Sequence, residues 1–256
     1  MRLKVRRGVS WAIAICALLA TADSATAAEI KMISAMALHA TWLELMPQYE
    51  RSTGDKVTIV WSPGLEVAKH VEAGEKADIV VLSAAGVDDL IKKGFLADGS
   101  RVPLVNSLVG IAIRPGAPKP DLSTVASFRQ SLLDAKSIAM SAGTSSLYLR
   151  KLFQNIGIAK EVDAKLYRAA NGRAENVSNV LRRGDADLGF QQVSELIDEK
   201  GIVLIGPIPS EVQEVTVWSA GLYRDAPQPE RAKALIRFIK SPEAARILKK
   251  HGLDPS

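Results

Sequence analysis

The hydrophobic positions of residues 28–256 alternate between two periods. Short runs rich in aliphatic and β-branched residues are followed by stretches with apolar positions three or four apart. The first pattern is typical of strands and the second of amphipathic helices. The pattern predicts strands over 29–34, 56–61 and 78–83 and helices over 39–51, 65–72 and 87–93. Parallel strands need helical crossovers of this kind, so the predicted fold class is α/β.

A second alternating block lies between two longer predicted strands, 108–114 and 215–222. Its predicted strands cover 137–141, 164–168 and 186–192, and two further helices over 229–239 and 243–251 follow the second long strand. We interpret the long strands as crossovers between two lobes, each a central sheet flanked by helices. This predicts a two-lobed fold with a hinge that closes around a ligand. The predicted division assigns 28–108 and 219–256 to lobe I and 109–218 to lobe II.

Residues 1–27 have the pattern of an export signal. Four basic residues lie within the first seven positions, an apolar run of about a dozen residues follows, and Ala25-Thr26-Ala27 matches the small-x-small pattern of a cleavage site. The apolar run is shorter than the roughly 20 residues that a membrane-spanning helix needs. We therefore expect a cleavable signal peptide over 1–27 and a periplasmic protein.

The charge balance of the exported protein differs from that of the full chain, because cleavage would remove residues 1–27. The sequence has 33 Lys and Arg against 28 Asp and Glu, but four of the basic residues and one acidic residue lie in 1–27, so 29 and 27 remain. This balance gives no support to nucleic-acid binding, which needs a basic stripe. Cys16, the single cysteine, lies in the same stretch. We therefore expect no disulfide, no cysteine-based metal site and no cofactor.

Four loops rich in small residues join predicted strand ends to helix starts: 34–37, 62–65, 142–146 and 171–174. In α/β sheets, ligands lie at this end of the strands, where free N–H groups and helix dipoles attract small anions. Capping of the helices is the alternative role of their Ser and Thr residues. On this basis we expect ligand contacts at Ala35, Ser145 and Ser146.

Several segments carry a family resemblance: 30–38, 67–78, 106–109, and 175–177 followed by 184–189. They resemble the periplasmic molybdate-binding proteins, which are type 2 periplasmic solute-binding proteins of ABC importers, over essentially all of 28–256. The resemblance implies the two-lobed fold, a small anionic ligand and an inner-membrane ABC permease as partner. The segment GFQQVSE at 189–195 is similar to exported proteins of the same superfamily that have mostly unassigned ligands.

The resemblance also implies ligand contacts through backbone groups, namely at Met36, Ala37, Gly64, Leu65 and Val177. The hydroxyl groups that hold the oxyanion in that family are missing here. Ala37 replaces a serine, the second loop reads PGL at 63–65, and Gln192 stands where the family has a tyrosine. Each lost hydroxyl bond would cost about 1–3 kcal/mol, so molybdate is not the expected ligand.

Larger and more strongly polar side chains stand near the same loops. His39 begins the first helix, Arg150 lies one turn into the helix after 142–146, Arg173 precedes another helix, and Gln192 offers an amide. An organic carboxylate would suit this set, because an arginine pairs a carboxylate through two parallel hydrogen bonds. The structural alternatives are a solvated helix charge for Arg150, a partly buried cap for His39 and a surface loop position for Arg173.

Two functions follow from these observations. The first is an exported binding protein, monomeric by default, that closes on a small anion, an organic carboxylate, for an ABC importer. The sequence contains no H-x-x-x-H pair and no G-x-S-x-G turn that would point to other chemistry. The alternative is an isomerase on the same scaffold, because some members of this superfamily resemble aconitate isomerase. That reaction shifts a proton along an allylic system, and the candidate bases are His39 and then Glu66.

Overall fold

The computed structural model describes residues 27–141, 143–170 and 175–256. The expected signal peptide over 1–27 therefore lies outside the described residues, apart from Ala27. The first α/β unit contains strands β1 (Glu29–Ala35), β2 (Lys56–Ser62) and β3 (Ile79–Ser83) and helices α1 (His39–Thr53), α2 (Val67–Glu72) and α3 (Ala84–Lys92). A 3₁₀ turn at Met36–Leu38 joins β1 to α1.

The remaining elements begin with the long strand β4 (Val102–Ile113). They continue with α4 (Val125–Asp134), β5 (Ile138–Met140), α5 (Thr144–Asn155), α6 (Ala159–Asp163), α7 (Val177–Arg183), β6 (Leu188–Gln192), α8 (Val193–Leu196), β7 (Val203–Pro207), β8 (Val215–Leu222), α9 (Pro229–Ile239), α10 (Pro242–Lys250) and β9 (Leu253–Pro255). The strand predicted over 164–168 is reduced to one bridge, between Leu166 and Ile138. A turn after α6, in which the N–H of Lys165 donates to Val162, takes up its first residues.

Strand β4 belongs to both sheets and joins the two lobes. Its residues 102–108 pair antiparallel with β8, and its residues 109–113 pair antiparallel with β6. On the first side, β1 lies parallel between β2 and β3, and β3 pairs antiparallel with β8. On the second side, β5 is parallel to β6 and β7 is antiparallel to β4. The predicted α/β class and the two-lobed architecture are confirmed, whereas the division at residues 108 and 219 stays a prediction.

Each lobe has its own apolar core. In the first lobe Trp42 and Trp218 are among the largest buried side chains. In the second lobe Phe128 and Phe153 pack against Phe190, with ring centroids 6.3 and 5.7 Å apart. Burial of such side chains contributes about 1.5–3 kcal/mol each, so each lobe stabilises itself. None of the helices in the described ranges has the length and hydropathy of a membrane span.

Asp78 connects the first sheet to the C-terminal helices. Its carboxylate accepts from the N–H of Lys31 in β1 at 2.9 Å and from the N–H of Gln228, the residue before α9, at 2.6 Å. The side chain is 2 % exposed. A buried carboxylate with two backbone donors fixes both elements in position, because either donor left alone would be a buried unsatisfied group.

We expect Asp78→Asn to lower the free energy of unfolding by about 1–3 kcal/mol. The asparagine keeps the shape of the side chain, but its NH₂ must face one of the two backbone donors. Urea denaturation monitored by circular dichroism measures the loss. Asp98→Asn, at an exposed loop position, is the matched control and should unfold like the wild type. Equal midpoints for both variants would contradict the assigned role.

Candidate functional site

A cleft lies between the two lobes at the carboxyl ends of β1, β2, β5 and β6. Its cavity volume is ≈ 180 Å³. A single water needs about 10–15 Å³, so a small organic molecule fits. The described lining residues come from both lobes and from β8; they are Met36, Ala37, Pro63, Gly64, Ser141, Gly143, Thr144, Ser145, Glu175, Asn176, Gln191, Gln192, Glu195 and Trp218. We call this cavity the interlobe cleft.

The two lobes touch across the interlobe cleft. The hydroxyl of Ser194 in the second lobe donates to the carbonyl oxygen of Ala37 in the first at 2.7 Å. Gly64 comes so close to the opposite wall that a Cβ atom on it would lie 2.9 Å from Oγ1 of Thr144 and 3.2 Å from the ring of Trp218. This position therefore requires a residue without a side chain for the lobes to close.

Gln192 lies between the two crossover strands. Its Oε1 accepts from the hydroxyl of Ser107 in β4 at 2.7 Å, and its Nε2 donates to Oγ1 of Thr216 in β8 at 3.1 Å. All three side chains are buried. The amide that the sequence assigned to a ligand thus bonds the two strands to each other, although Gln192 also lines the cleft.

The start of α5 supplies neutral donors to the second-lobe wall. The hydroxyl of Ser141 accepts from the N–H of Gly143 at 3.3 Å and bonds to the hydroxyl of Ser145 at 3.2 Å. Gly143 precedes the helix and places no side chain on its first N–H groups. A helix start without a side-chain cap that faces a cavity favours an anionic group.

Glu195 carries the most strongly perturbed carboxyl group among the described lining residues. Loss of hydration on burial raises its pKa to about 7, against the opposing effect of hydrogen bonds with the Gln191 side chain and the Gln192 backbone. Nε2 of Gln191 donates to Oε1 of Glu195 at 2.7 Å. A carboxyl group with this pKa exchanges a proton readily near neutral pH, which is the property of a general acid or base.

Glu175 behaves in the opposite way. Hydrogen bonds from Arg183 at 2.7 Å and from the hydroxyl of Tyr167 at 3.0 Å lower its pKa. The cleft thus holds one carboxylate that stays ionised and one that titrates near neutrality. Surroundings that set the pKa values of two carboxyl groups apart in this way are typical of acid–base sites.

The described lining residues include no Lys or Arg. A ligand anion would therefore meet hydroxyl, amide and backbone N–H groups there, beside the carboxyl groups of Glu175 and Glu195. In the described ranges, no three His, Cys, Asp or Glu residues are grouped to hold a metal ion. Arg173, expected at the ligand, lies outside the described residues, and its contact stays a prediction.

The structure brings part of the predicted site together. Met36, Ala37, Gly64, Ser145 and Gln192 all line the interlobe cleft. They come from loops 34–37, 62–65 and 142–146 and from the end of β6. The rule that ligands lie at the carboxyl ends of strands accounts for this convergence.

Other predicted contacts lie outside the described lining. Ala35 is buried as the last residue of β1, and Leu65 is turned to solvent with 37 % of its surface exposed. The hydroxyl of Ser146 donates to the carbonyl of Gly143 at 2.8 Å, so it serves its own helix. The N–H of Val177 donates to Oε1 of Gln191 at 3.3 Å.

The charged candidates are placed elsewhere by packing. Arg150 is exposed and borders a separate hollow with Met140 and Phe153. His39 stacks edge-on against Trp61, with ring centroids 4.6 Å apart. Glu66 pairs with Lys69 at 2.8 Å at the surface. None of these three lies among the described residues of the cleft wall, and their roles at the ligand stay predictions.

Sequence reasoning did not assign a role to Gln191 or Glu195, although both lie in the segment GFQQVSE that it singled out. Gln191 is the second-to-last residue of β6, and Glu195 is the third residue of α8. A glutamate at that position of a helix is usually a cap. One signal for Glu195 was available in the sequence, because this residue follows the end of a predicted strand by three residues.

Comparisons with known proteins place the chain among extracellular binding proteins. The family described as bacterial extracellular solute-binding protein matches residues 30–254. The chain is 36 % identical over 232 residues to an aconitate isomerase from Pseudomonas sp., covering 88 % of this chain and 87 % of that protein. It is 23 % identical over 240 residues to the molybdate-binding protein ModA of Escherichia coli, covering 91 % and 92 %.

Solved structures share the fold at low sequence identity. A periplasmic molybdate-binding protein from Azotobacter vinelandii superimposes with a TM-score of 0.69 at 20 % identity, covering 88 % of this chain and 98 % of that one. The sulfate-binding protein SubI from Mycobacterium tuberculosis gives 0.71 at 15 % identity, covering 89 % and 87 %.

We expect Glu195→Gln to stabilise the protein at alkaline pH. Folding raises the pKa from 4.5 to about 7, so between these values the folded state binds more protons than the unfolded chain. The free energy of unfolding of the wild type therefore falls as the pH rises through this window. Above pH 7 the variant should gain up to about 3 kcal/mol over the wild type.

Urea denaturation at pH 5 and pH 8 measures this gain, which should grow between the two conditions. Glu175→Gln is the matched control from the same cleft. Its pKa is lowered by Arg183, so that variant should gain nothing at pH 8. A gain for Glu195→Gln that is equal at both pH values would contradict the desolvation of Glu195.

Proposed function

Because the chain belongs to the family of bacterial extracellular solute-binding proteins, we propose that it is an exported member that has acquired an isomerase activity. The reaction moves a proton within a small polycarboxylate of the aconitate type. The observation that carries the proposal is the carboxyl group of Glu195, which lies in the interlobe cleft with a pKa of about 7. The similarity to an aconitate isomerase over most of both chains supports the substrate class.

The proposed reaction needs one group that takes a proton and returns it. The carboxylate of Glu195 removes a proton from the methylene carbon of the substrate, and the C–H electron pair enters the allylic system. The double bond then moves by one position, and the protonated Glu195 gives the proton to the former vinyl carbon. One C–H bond breaks and one forms, so atoms and charge balance. A pKa near the working pH suits both halves of this cycle.

The cleft wall offers donors for the substrate carboxylates and for the charge that develops on them. Met36 and Ala37 line the cleft from the first lobe, and the start of α5 lines it from the second. Fixed donors of this kind stabilise developing negative charge because they need no reorientation during the reaction. We place Arg173 with them as a proposed partner of one carboxylate.

Anion delivery to an inner-membrane ABC permease is the second candidate function. The wall of neutral donors favours it, and so does the similarity to molybdate-binding proteins. Anion delivery also requires that the cleft close on the ligand, but it requires no proton transfer. Both functions fit a signal peptide over 1–27, a periplasmic location and a monomer, which we retain as proposals.

The direct test mixes the purified protein with trans-aconitate and follows cis-aconitate by proton NMR. We expect turnover by the wild type. Glu195→Gln should lower kcat by about 10²- to 10⁴-fold, the usual contribution of a general acid–base group. Its thermal shift with trans-aconitate should persist, because the variant keeps the donors of the cleft wall.

Two variants serve as controls. Glu66→Gln alters a surface carboxylate that pairs with Lys69, and His39→Gln alters the ring that stacks on Trp61. Both should retain turnover. Saturable binding by the wild type without turnover would favour the import function. Loss of turnover in His39→Gln but not in Glu195→Gln would overturn the assignment of the base.

We further expect Gly64→Ala to weaken binding of trans-aconitate. The new Cβ would lie 2.9 Å from Oγ1 of Thr144, so the lobes must separate slightly. Overpacking of this kind costs about 1–3 kcal/mol, or roughly 5- to 150-fold in Kd. Isothermal titration calorimetry measures it. At Gly143 the nearest atom would be Oγ of Ser141 at 3.6 Å, so Gly143→Ala should weaken binding less. The reverse order would contradict closure at Gly64.

A further inference from the structure

The amide of Gln191 is held from two sides. Its Oε1 accepts from the backbone N–H of Val177 at 3.3 Å, and its Nε2 donates to Oε1 of Glu195 at 2.7 Å. The side chain is 4 % exposed. A backbone N–H can only donate, so the amide oxygen must face Val177 and the NH₂ must face Glu195. The reverse orientation would set two donors against each other at the start of α7.

This fixed orientation distinguishes the two oxygens of Glu195. Oε1 accepts from the NH₂ of Gln191, and a proton on Oε1 would weaken it as an acceptor. The bond to Gln191 therefore favours Oε2 as the oxygen that takes up the proton. The hydrogen bond also favours the ionised form, because a donor to a carboxylate stabilises its charge.

We infer that Gln191 is a positioning residue, which holds Glu195 so that Oε2 is the atom that exchanges the proton with the substrate. The inference rests on the proposed function and adds to it a named atom and a second residue. Gln191 does not touch the reacting carbons in this scheme. It acts through Glu195, and the N–H of Val177 holds it in turn.

Few other charged groups in the described structure face this pair. From the segment before α7, Glu175 lines the same cleft and is paired with Arg183. The first-lobe residues of the wall, the start of α5 and Trp218 are uncharged. The backbone of Gln192 bonds to the carboxyl group of Glu195. Gln191 is therefore the side chain whose replacement should change the titration of Glu195 most directly.

Gln191→Met and Gln191→Glu test the inference. Methionine keeps the length of the side chain but donates nothing, so the pKa of Glu195 should rise by about one unit or more. The introduced carboxylic acid of Gln191→Glu reproduces the native acceptor and donor pattern only while it is protonated. The pair should then share one proton and titrate with a raised apparent pKa.

Titration of ¹³C-labelled glutamate side chains by NMR in the ligand-free protein measures these shifts. Gln192→Met is the matched control, because it removes an adjacent buried amide that bonds to Ser107 and Thr216 instead. It should leave the pKa of Glu195 within a few tenths of a unit. An unchanged pKa in both Gln191 variants, with native circular dichroism, would overturn the inference.

Kinetics separate a positioning role from a purely structural one. With trans-aconitate, Gln191→Met should lower kcat about tenfold or more with little change in KM, and the inflection of the pH profile should move upward with the pKa of Glu195. Gln191→Glu should regain activity at lower pH, where its carboxylic acid mimics the amide. A rise in KM alone would contradict positioning. If the wild type shows no turnover, the proposed function fails, whereas the ligand-free titration still decides the bond between Gln191 and Glu195.

Discussion

A carboxyl group that loses hydration inside the folded protein is the constraint on which this molecule depends. Glu195 lies in the interlobe cleft, where burial raises its pKa to about 7. When it is ionised, its charge repels an anionic ligand and an anionic substrate alike, whereas a pKa near neutrality serves proton transfer. Natural proteins keep such costly groups where function needs them, at some loss of stability.

The fold concentrates several roles in one short segment at the end of β6. Gln191 bonds to Glu195, Gln192 bonds to both crossover strands, and Ser194 bonds to the carbonyl of Ala37 in the opposite lobe. The proposed base, the residue that bonds the crossover strands and the contact between lobes are thus separated by only a few residues. Closure of the lobes and desolvation of Glu195 are therefore expected to be coupled events.

The sequence predicts the α/β class and the crossover strands because their apolar runs are long and regular. It also predicts Met36, Ala37 and Gly64 at the cleft, because these residues follow strand ends. It cannot tell where His39 and Arg150 lie, since the face on which a helical side chain lies is decided by packing, against Trp61 in one case and beside Phe153 in the other. The raised pKa of Glu195 comes from burial in the folded protein, which the pattern of the sequence does not show.

The pH dependence of kcat/KM for trans-aconitate tests the central claim most directly. If Glu195 in the free enzyme must be ionised to accept the proton, kcat/KM should rise tenfold per pH unit below pH 7 and level off above it. The inflection should coincide with the pKa of Glu195, which is about 7. A profile that is flat from pH 5.5 to 8.5, at measurable turnover, would contradict the assignment of Glu195 as the acid–base group.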